Sequence, residues 1–494
     1  MHRLLRASIG WTAALMSTAT PALFAAPQTS DTFAVTTNGD NGSNASPTVG
    51  SLRWAIKQAN ANANLSTITF TLSGCPTVMN LAGTALPDIT TDVTIDGYSA
   101  TGATANSQFG KFDATLCVVL NGAGSIATGL HTSGSGRLTA RGLALAGFTD
   151  AAIRLDAGNS NVVSGNQIGG IAFTLANKDG VRIAGAASGA IIGDDVDPAH
   201  VNMIVGSIDA GVYIDATAGG NFVAGDLIGI GADGAMSNGN ALGIYIFNSP
   251  GNDIDSCVIS GNAQQGVLIA GPSTTGTVVQ NNKIGFTSNG GYAPNGAEGV
   301  QITFGASDNT IGAAQAGLIA GNAIYASGDA VWVTSSAGAQ NRILANQEMF
   351  SGNALALDLG AAGPTANDAN DADSGPNGLQ NFPVTLHAYR TPSANWVEGM
   401  LDSSPNDAFR MDLYWGPCCG VAVRGNGTYF IGRGGGVTDA AGHAHFWVKL
   451  PAVTYPSIGE IAATATAVNG DTSEIGVYAQ EIVGEMIFRD NFEP

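Results

Sequence analysis

The chain has 494 residues, a length that suits one long repetitive domain with an appended module. Glycine contributes 69 residues and charged residues only 11%, which excludes a highly charged disordered chain and a helical bundle. The formal net charge of −20 would repel the phosphates of DNA or RNA, so no nucleic-acid partner is expected. Such a charge is typical of an acidic surface that keeps an exported protein soluble.

Residues 1–26 have the pattern of an export signal. Arg3 and Arg6 precede an apolar stretch, which is followed by small residues that include Ala25. Pro27 then begins the predicted mature chain. No later apolar run is long enough to cross a bilayer, so we expect no transmembrane segment. These features predict a secreted or cell-surface bacterial protein, which we expect to be a monomer.

Residues 27–64 contain one clear helical pattern. The stretch "GSLRWAIKQANANA" places four apolar residues on one face, Leu52, Ala55, Ile56 and Ala59. Arg53 and Lys57 are then expected on the exposed side. Because a solenoid leaves its core open at each end, an amphipathic helix just before the first strands predicts an N-terminal cap.

Five cysteines are too few for a disulfide scaffold and lack the spacing of a zinc site. Export would allow a disulfide between Cys75 and Cys117, with two free thiols as the alternative. Cys257 lies in the strand-like phrase "DIDSCVISGN" and is expected to be a small buried side chain. The adjacent Cys418 and Cys419 would form either a vicinal disulfide or two free thiols.

A short phrase recurs through residues 65–360. It consists of Gly or Ala followed by an apolar, a variable and an apolar residue, and six copies start at Gly180, Gly211, Gly243, Gly266, Gly299 and Ala330. The intervals of 31, 32, 23, 33 and 31 residues are a solenoid period. A second strand-like phrase follows each copy, and no helical pattern lies between them. Parallel strands in coils of this length predict a parallel β-helix.

Asparagines recur at matching turn positions of the repeat, namely Asn166, Asn262, Asn282 and Asn353. Asparagine tolerates left-handed backbone geometry and its side-chain amide can bond to neighbouring coils. An inward ladder of asparagines is therefore predicted rather than a binding site.

Residues 361–380 interrupt the repeat with an acidic sequence rich in Asn, Gly and Pro, which predicts a domain boundary. Within this linker Asp368, Asp371 and Asp373 offer carboxylate oxygens at short spacing. A solvated acidic linker is the favoured interpretation, and a calcium site is the alternative, because calcium prefers such oxygen ligands. No other cofactor is expected.

Residues 381–482 alternate apolar and polar side chains at a spacing typical of a β-sandwich, and residues 483–494 form a predicted extended tail. The whole sequence thus predicts an all-β fold: a right-handed parallel β-helix solenoid with an N-terminal helical cap and a C-terminal antiparallel β-sandwich.

Three stretches resemble exported bacterial proteins with right-handed parallel β-helix repeats, related in fold to the pectate lyase superfamily. "GSLRWAIKQAN" is similar to their N-terminal Cys-Ser-Leu-Arg-Glu-Ala motif, although Gly50 stands in the Cys position and Trp54 in the Glu position. "NFVAGDLIGIGADGAMSNGNALGIYI" resembles their central repeat, and "NDADSGPNGLQNFPV" the phrase that closes their helix. The resemblance implies the architecture but assigns no activity, because fold does not imply function.

The repeat also assigns side chains to faces, because successive residues of a strand point to opposite sides. If Val181 and Ile183 point inward, Arg182 points outward. A first outward column then contains Arg154, Arg182, Tyr213, Tyr245, Leu268, Gln301 and Trp332. A second column, two residues further on, contains Asp156, Ala184, Asp215, Phe247, Ala270, Thr303 and Thr334.

These columns predict a face that binds an extracellular polysaccharide. Aromatic rings can stack on sugar rings while polar side chains bond to hydroxyl groups, so the binding candidates are Tyr213, Tyr245, Phe247, Gln301 and Trp332.

Two cleavage reactions are compatible with the columns. Asp156 and Asp215, about 9–10 Å apart at the usual strand spacing, would be the acid and base of an inverting glycosidase, with Arg182 between them. In β-elimination from a uronic acid, Arg154 and Arg182 would neutralise the carboxylate and Lys178 would take the proton. The rival function is a non-catalytic adhesive rod at the cell surface or in the matrix.

Overall fold

The computed structural model describes residues 30–170, 175–217, 219–313, 321–352, 354–417, 428–452 and 459–483. The predictions made for the export signal, for Asn353, for Cys418 and Cys419, and for the tail beyond residue 483 lie outside the described residues. None of the helices in the described ranges has the length and apolar character needed to span a bilayer.

The elements are mostly short strands. Helix α1 spans Leu52–Asn60, and single 3₁₀ turns span Gly97–Ser99, Pro198–His200, Ala369–Asp371 and Pro376–Leu379. The strands are β1 (Asp31–Val35), β2 (Ser66–Phe70), β3 (Thr77–Asn80), β4 (Val93–Asp96), β5 (Val118–Thr132), β6 (Leu138–Arg141), β7 (Leu143–Leu155), β8 (Val162–Ser164), β9 (Gln167–Ile168), β10 (Asp179–Ala184), β11 (Ile191–Gly193), β12 (Met203–Ile204), β13 (Ala210–Asp215), β14 (Phe222–Ala224), β15 (Leu227–Ile228), β16 (Leu242–Phe247), β17 (Asp253–Asp255), β18 (Val258–Ile259), β19 (Val267–Ala270), β20 (Val278–Gln280), β21 (Lys283–Ile284), β22 (Val300–Thr303), β23 (Thr310–Gly312), β24 (Ala323–Ala326), β25 (Val331–Thr334), β26 (Arg342–Leu344), β27 (Glu348–Ser351), β28 (Leu357–Gly360), β29 (Val384–Arg390), β30 (Ala394–Asp402), β31 (Ala408–Pro417), β32 (Thr428–Val437), β33 (His443–Pro451), β34 (Gly459–Ala467) and β35 (Ala479–Val483).

Three parallel sheets wrap around one apolar core. The first sheet contains β1, β2, β4, β6, β8, β11, β14, β17, β20, β23 and β26. The second sheet contains β3, β5, β7, β9, β12, β15, β18, β21, β24 and β27. The strands β5 and β7 continue into the third sheet, which contains β5, β7, β10, β13, β16, β19, β22, β25 and β28. The fold is thus a right-handed parallel β-helix, as the repeat predicts.

Aliphatic side chains stack inside the solenoid. Val181 and Ile183 of the recurring phrase are fully buried, as predicted. In the second sheet a column of fully buried isoleucines runs along the axis, formed by Ile168, Ile204, Ile228, Ile259, Ile284 and Ile324. Branched side chains suit this stack because they pack well against the same residue one strand away.

The buried asparagines form the predicted ladder along the axis. The side-chain amide of Asn166 donates to Asn202, and that of Asn202 donates to Asp226. Further links of the same kind join Asn240 to Asn262, Asn262 to Asn295, Asn282 to Asn322 and Asn322 to Asn346. These amides satisfy backbone and side-chain hydrogen bonds in the core, so they are structural.

The N-terminal region differs in two ways from the sequence expectation. Strand β1 pairs in parallel with β2, so the first sheet begins at Asp31 rather than near residue 65. Strand β1 is the short phrase "DTFAV", and α1 follows it in the chain. The apolar face of α1 is buried, but so is Arg53, which is 1% exposed and binds Asp40 at 2.6 Å. A guanidinium can be buried there because carboxylate and carbonyl oxygens surround it.

Cys75 and Cys117 form a disulfide between the loop before β3 and the start of β5. The bond joins two successive coils, because β3 and β5 are paired and Cys117 immediately precedes β5. Cys257 is a free, buried thiol, and burial raises its pKa well above the usual value.

The C-terminal strands form the β-sandwich. One sheet contains β33, β30, β29 and β35, and the other contains β32, β31 and β34. Apolar side chains from both sheets form a separate core, including Val397, Met411, Phe446 and Ala463.

The sandwich closes the C-terminal end of the β-helix. Strand β32 pairs in antiparallel fashion with β27, and Tyr414 of the sandwich belongs to the core of the solenoid. Buried Asp412 accepts a hydrogen bond from the backbone of Ala345 at 2.9 Å. The linker is also packed, because fully buried Asn377 extends the asparagine ladder. Residues 361–380 thus connect two bodies that contact each other directly.

Candidate functional site

The third sheet aligns the outward side chains in the predicted order. Register pairs link Arg154 to Arg182, Arg182 to Tyr213, and so on to Gln301 and Trp332. The same column continues at both ends, to His131 before Arg154 and to Asp358 after Trp332. The outer face of the third sheet is therefore one continuous surface.

Seven side chains form an ionic cluster at the N-terminal end of this face: Asp88, His131, Asp150, Arg154, Asp156, Arg182 and Asp215. Arg154 binds Asp150 at 2.7 Å and Asp156 at 2.8 Å. Arg182 binds Asp215 at 2.5 Å and lies 3.7 Å from Asp150, which therefore links the two guanidiniums. The cluster brings together Arg154, Asp156, Arg182 and Asp215, as the columns predicted.

The sequence reasoning missed His131, which connects two carboxylates. Its Nδ1 lies 2.8 Å from Asp88 and its Nε2 lies 3.1 Å from Asp156. The hydrogen bond with Asp156 raises the pKa of His131, against the opposing effect of burial. This shift favours the imidazolium form, so His131 is a candidate proton donor.

The surroundings of Asp156 favour its ionised form. Burial alone would raise its pKa, but hydrogen bonds from His131 and Arg154 outweigh this and lower the pKa. Asp215 is likewise bound to a guanidinium, that of Arg182. Both carboxylates of the predicted acid and base pair, Asp156 and Asp215, are therefore already bonded to basic side chains.

Beneath the cluster lies Asp179, a buried carboxyl that the sequence reasoning also missed. Burial raises its pKa to about 6, and the positive charges of Arg182 and Lys178 oppose this effect. One oxygen accepts from the backbone of Ala210 at 3.2 Å, and the other lies 3.6 Å from Arg182. Asp179 is 0% exposed and lies against Arg182, so it positions that guanidinium.

The aromatic part of the face follows the ionic cluster. Tyr213 and Tyr245 stack with ring centroids 4.7 Å apart, and Phe247 lies 6.1 Å from Tyr245. The guanidinium of Arg182 lies 4.7 Å from the Tyr213 ring, on the side opposite Tyr245. Both faces of the Tyr213 ring are therefore covered, which disfavours the stacking of a sugar on it. Its edge and hydroxyl remain for hydrogen bonding, and burial raises the pKa of that hydroxyl.

The C-terminal end of the face is acidic. This acidic end consists of Gln265, Glu298, Gln301, Asp329, Trp332 and Asp358. Gln265 donates to Glu298 at 2.8 Å and to Gln301 at 2.9 Å. Burial, followed by repulsion from Asp358 and Glu298, raises the pKa of Asp329 to about 6. Sequence reasoning found Gln301 and Trp332 here but missed the three carboxylates.

The linker carboxylates do converge as predicted. Ligand oxygens of Asp368, Asp371 and Asp373 lie within 4.8 Å of one another. Burial raises the pKa of Asp371, and the negative charges of Asp373 and Asp368 raise it further. Asp371 also accepts hydrogen bonds from Asn381 at 2.8 Å and Ser403 at 3.0 Å. The donor set fits a hard cation such as calcium, which prefers carboxylate oxygens.

No protein-family model and no curated protein sequence matches this chain. Solved structures are similar to it at low identity. The enzymatically active domain of tailspike protein 2 from bacteriophage CBA120 is 11% identical, with a TM-score of 0.31, covering 87% of this chain and 74% of that chain. The A-module of Azotobacter vinelandii mannuronan C-5 epimerase AlgE4 is 15% identical, with a TM-score of 0.28. The match covers 56% of this chain and 81% of that chain. ORF18 of Geobacillus virus E2 is 11% identical, with a TM-score of 0.29. The match covers 90% of this chain and 86% of that chain. At these values the likeness says nothing about the function of this chain.

Proposed function

We propose that the protein is exported and binds an extracellular polysaccharide along the outer face of the third sheet. The observation that carries this proposal is the continuous column from His131 to Asp358. From His131 to Trp332 its side chains are partly exposed, and all of them except Leu268 carry hydrogen-bonding groups on successive strands about 4.8 Å apart. A polymer with a repeating set of hydroxyl groups suits a surface that itself repeats.

We further propose that the ionic cluster hydrolyses a glycosidic bond. Protonated His131, whose side chain is 25% exposed, would release its Nε2 hydrogen bond to Asp156 and donate that proton to the glycosidic oxygen as the bond to the anomeric carbon breaks. A water molecule would then add to the anomeric carbon and return a proton to His131. Ionised Asp156, 3.1 Å away, would stabilise the positive charge that develops on the sugar ring. β-Elimination is less favoured, because Arg154 and Arg182 are already bonded to carboxylates and so are poorly placed to neutralise a uronate.

A panel of polysaccharides tests both steps, with binding measured by calorimetry and cleavage by reducing ends and by ultraviolet absorbance of an unsaturated product. Arg182→Ala should weaken binding, because it removes a hydrogen-bond donor from the face and the partner that positions Asp215. His131→Asn should lower turnover by about 10²–10⁴-fold. His200→Asn, at an exposed histidine in a loop of another part of the solenoid, is the matched control.

The outcomes separate the candidate functions. Unchanged turnover of His131→Asn on a confirmed substrate would exclude His131 as the acid. An unsaturated product would replace hydrolysis by elimination. Binding without any cleavage would favour the non-catalytic rod, for which the saturated ion pairs of the cluster are a supporting observation. If no polysaccharide binds, the proposal as a whole fails.

A further inference from the structure

Acidic groups outnumber basic groups along the outer face of the third sheet. The ionic cluster contains four carboxylates against two guanidiniums and one imidazole. Both guanidiniums are bound to carboxylates of the same cluster, so they have little capacity left for an anionic ligand. The whole chain has a net charge of −20, which would add a long-range repulsion toward polyanions.

The acidic end has an even larger imbalance. Glu298, Asp329 and Asp358 bring three carboxylates to the face, and no member of this group is basic. Asp358 is only 1% exposed, and its Oδ1 has no hydrogen-bond partner among the described residues. Its other oxygen accepts from the backbone of Gly363 at 2.9 Å. A buried carboxylate oxygen without a donor is costly, which points to a donor that a ligand supplies.

The spacing of these carboxylates indicates what kind of donor fits. In the described residues, only the linker aspartates meet the 4.8 Å convergence that a metal ion needs. An ammonium group instead presents three separate N–H donors and can bridge acceptors that are further apart. Trp332, which neighbours Asp358 in register, adds an aromatic ring that attracts cations.

We propose that the polysaccharide held on this face carries free amino groups, so that its ammonium groups bind the carboxylates of the acidic end. This inference rests on the proposed function and adds the charge of the ligand to it. Amino-sugar polymers combine the hydroxyl groups that suit the column with the positive charge that suits Glu298, Asp329 and Asp358. A polyuronate would place its carboxylates against this excess of negative charge.

Three probes of equal length test the charge of the ligand: glucosamine oligomers with free amines, the same oligomers fully N-acetylated, and oligogalacturonate. Calorimetry on the full-length protein should show that the free-amine oligomer binds at least about tenfold more tightly than the acetylated one. The preference should shrink as salt is added, because the screening length falls from about 30 Å at 0.01 M salt to about 3 Å at 1 M. Equal or tighter binding of either other probe overturns the inference.

Variants test whether the acidic end causes the preference for free-amine oligomers. Asp329→Asn and Asp358→Asn should each remove most of the preference for free amines, while thermal unfolding shows that the variants still fold. Asp308→Asn, an exposed residue paired with Arg342 near the first sheet, should keep the preference. A preference that survives in both acidic-end variants overturns the assignment. If another, neutral polymer of the panel binds and none of these three does, the amino-sugar inference is wrong although polysaccharide binding stands. If no polymer binds, the proposed function itself is wrong.

Discussion

Glu474→Gln should stabilise the protein in a strongly pH-dependent way. Glu474 lies where the sandwich meets the β-helix and is 3% exposed. Its carboxylate accepts hydrogen bonds from the backbone of Leu359 and Thr365 at 3.1–3.2 Å. Burial, with a smaller contribution from the charge of Asp358, nevertheless raises its pKa from 4.5 to about 7.

The sign and size of the effect follow from this pKa. The folded protein holds the proton of Glu474 up to about pH 7, whereas the unfolded chain loses it near the ordinary value of 4.5. Stability is therefore lost as the pH rises between these values. A shift of about 2.5 pKa units, at 1.36 kcal/mol per unit, corresponds to about 3 kcal/mol of lost stability above pH 7. Glutamine cannot ionise, so the variant avoids this loss.

Urea unfolding of the wild type and Glu474→Gln at about pH 4, 6 and 8 measures the prediction. The two proteins should have similar free energies of unfolding at about pH 4, and the variant should be about 3 kcal/mol more stable at about pH 8. Glu460→Gln, on strand β34 of the sandwich, is the control for the exchange of a glutamate for a glutamine. A variant that is equally or less stable than the wild type at about pH 8 would refute the reasoning. It would show that the hydrogen bonds from Leu359 and Thr365 outweigh the desolvation of the carboxylate.

Three further predictions concern other parts of the molecule. Asp226→Asn should raise the melting temperature at neutral pH, because burial raises the pKa of this fully buried carboxyl and asparagine fills the equivalent place in neighbouring coils; a lower melting temperature would contradict this. Cys117→Ser should cost about 4 kcal/mol in urea unfolding, since the disulfide closes a loop with a sequence separation of 42; an unchanged midpoint would contradict the loop-entropy argument. Asp371→Asn should abolish calcium binding in calorimetry if the linker aspartates bind calcium, and wild-type protein without a calcium signal would exclude the site.

The sequence was a good guide to the architecture because the solenoid is built from local repeats. The phrase around Val181 defines the inward and outward sides of a strand, and the parallel register then aligns every copy. It was a poorer guide at the ends, where the chain departs from the repeat. Arg53 was expected in solvent because helical periodicity does not reveal Asp40, which approaches from a preceding loop.

The candidate site was found only in part, for a similar reason. His131 lies in "GLHT", which keeps the glycine and leucine of the phrase but has a buried threonine in the last position. Asp358 lies in "ALDL", which matches the phrase fully and was available as a signal. Asp88 comes from a preceding coil with a single bridging residue, Ile89, and no periodic pattern identifies it. The mutual stacking of Tyr213 and Tyr245 depends on side-chain rotamers, which the order of residues does not determine.

The closed ends of the solenoid give the outer face of the third sheet a defined length. Helix α1 packs its apolar face into the core at one end, and strand β32 of the sandwich pairs with β27 at the other. The column from His131 to Asp358 crosses nine strands, and eight steps of about 4.8 Å make it about 38 Å long. The number of coils therefore sets the length of ligand that the face can contact. Each inserted or deleted coil would change that length by one strand spacing.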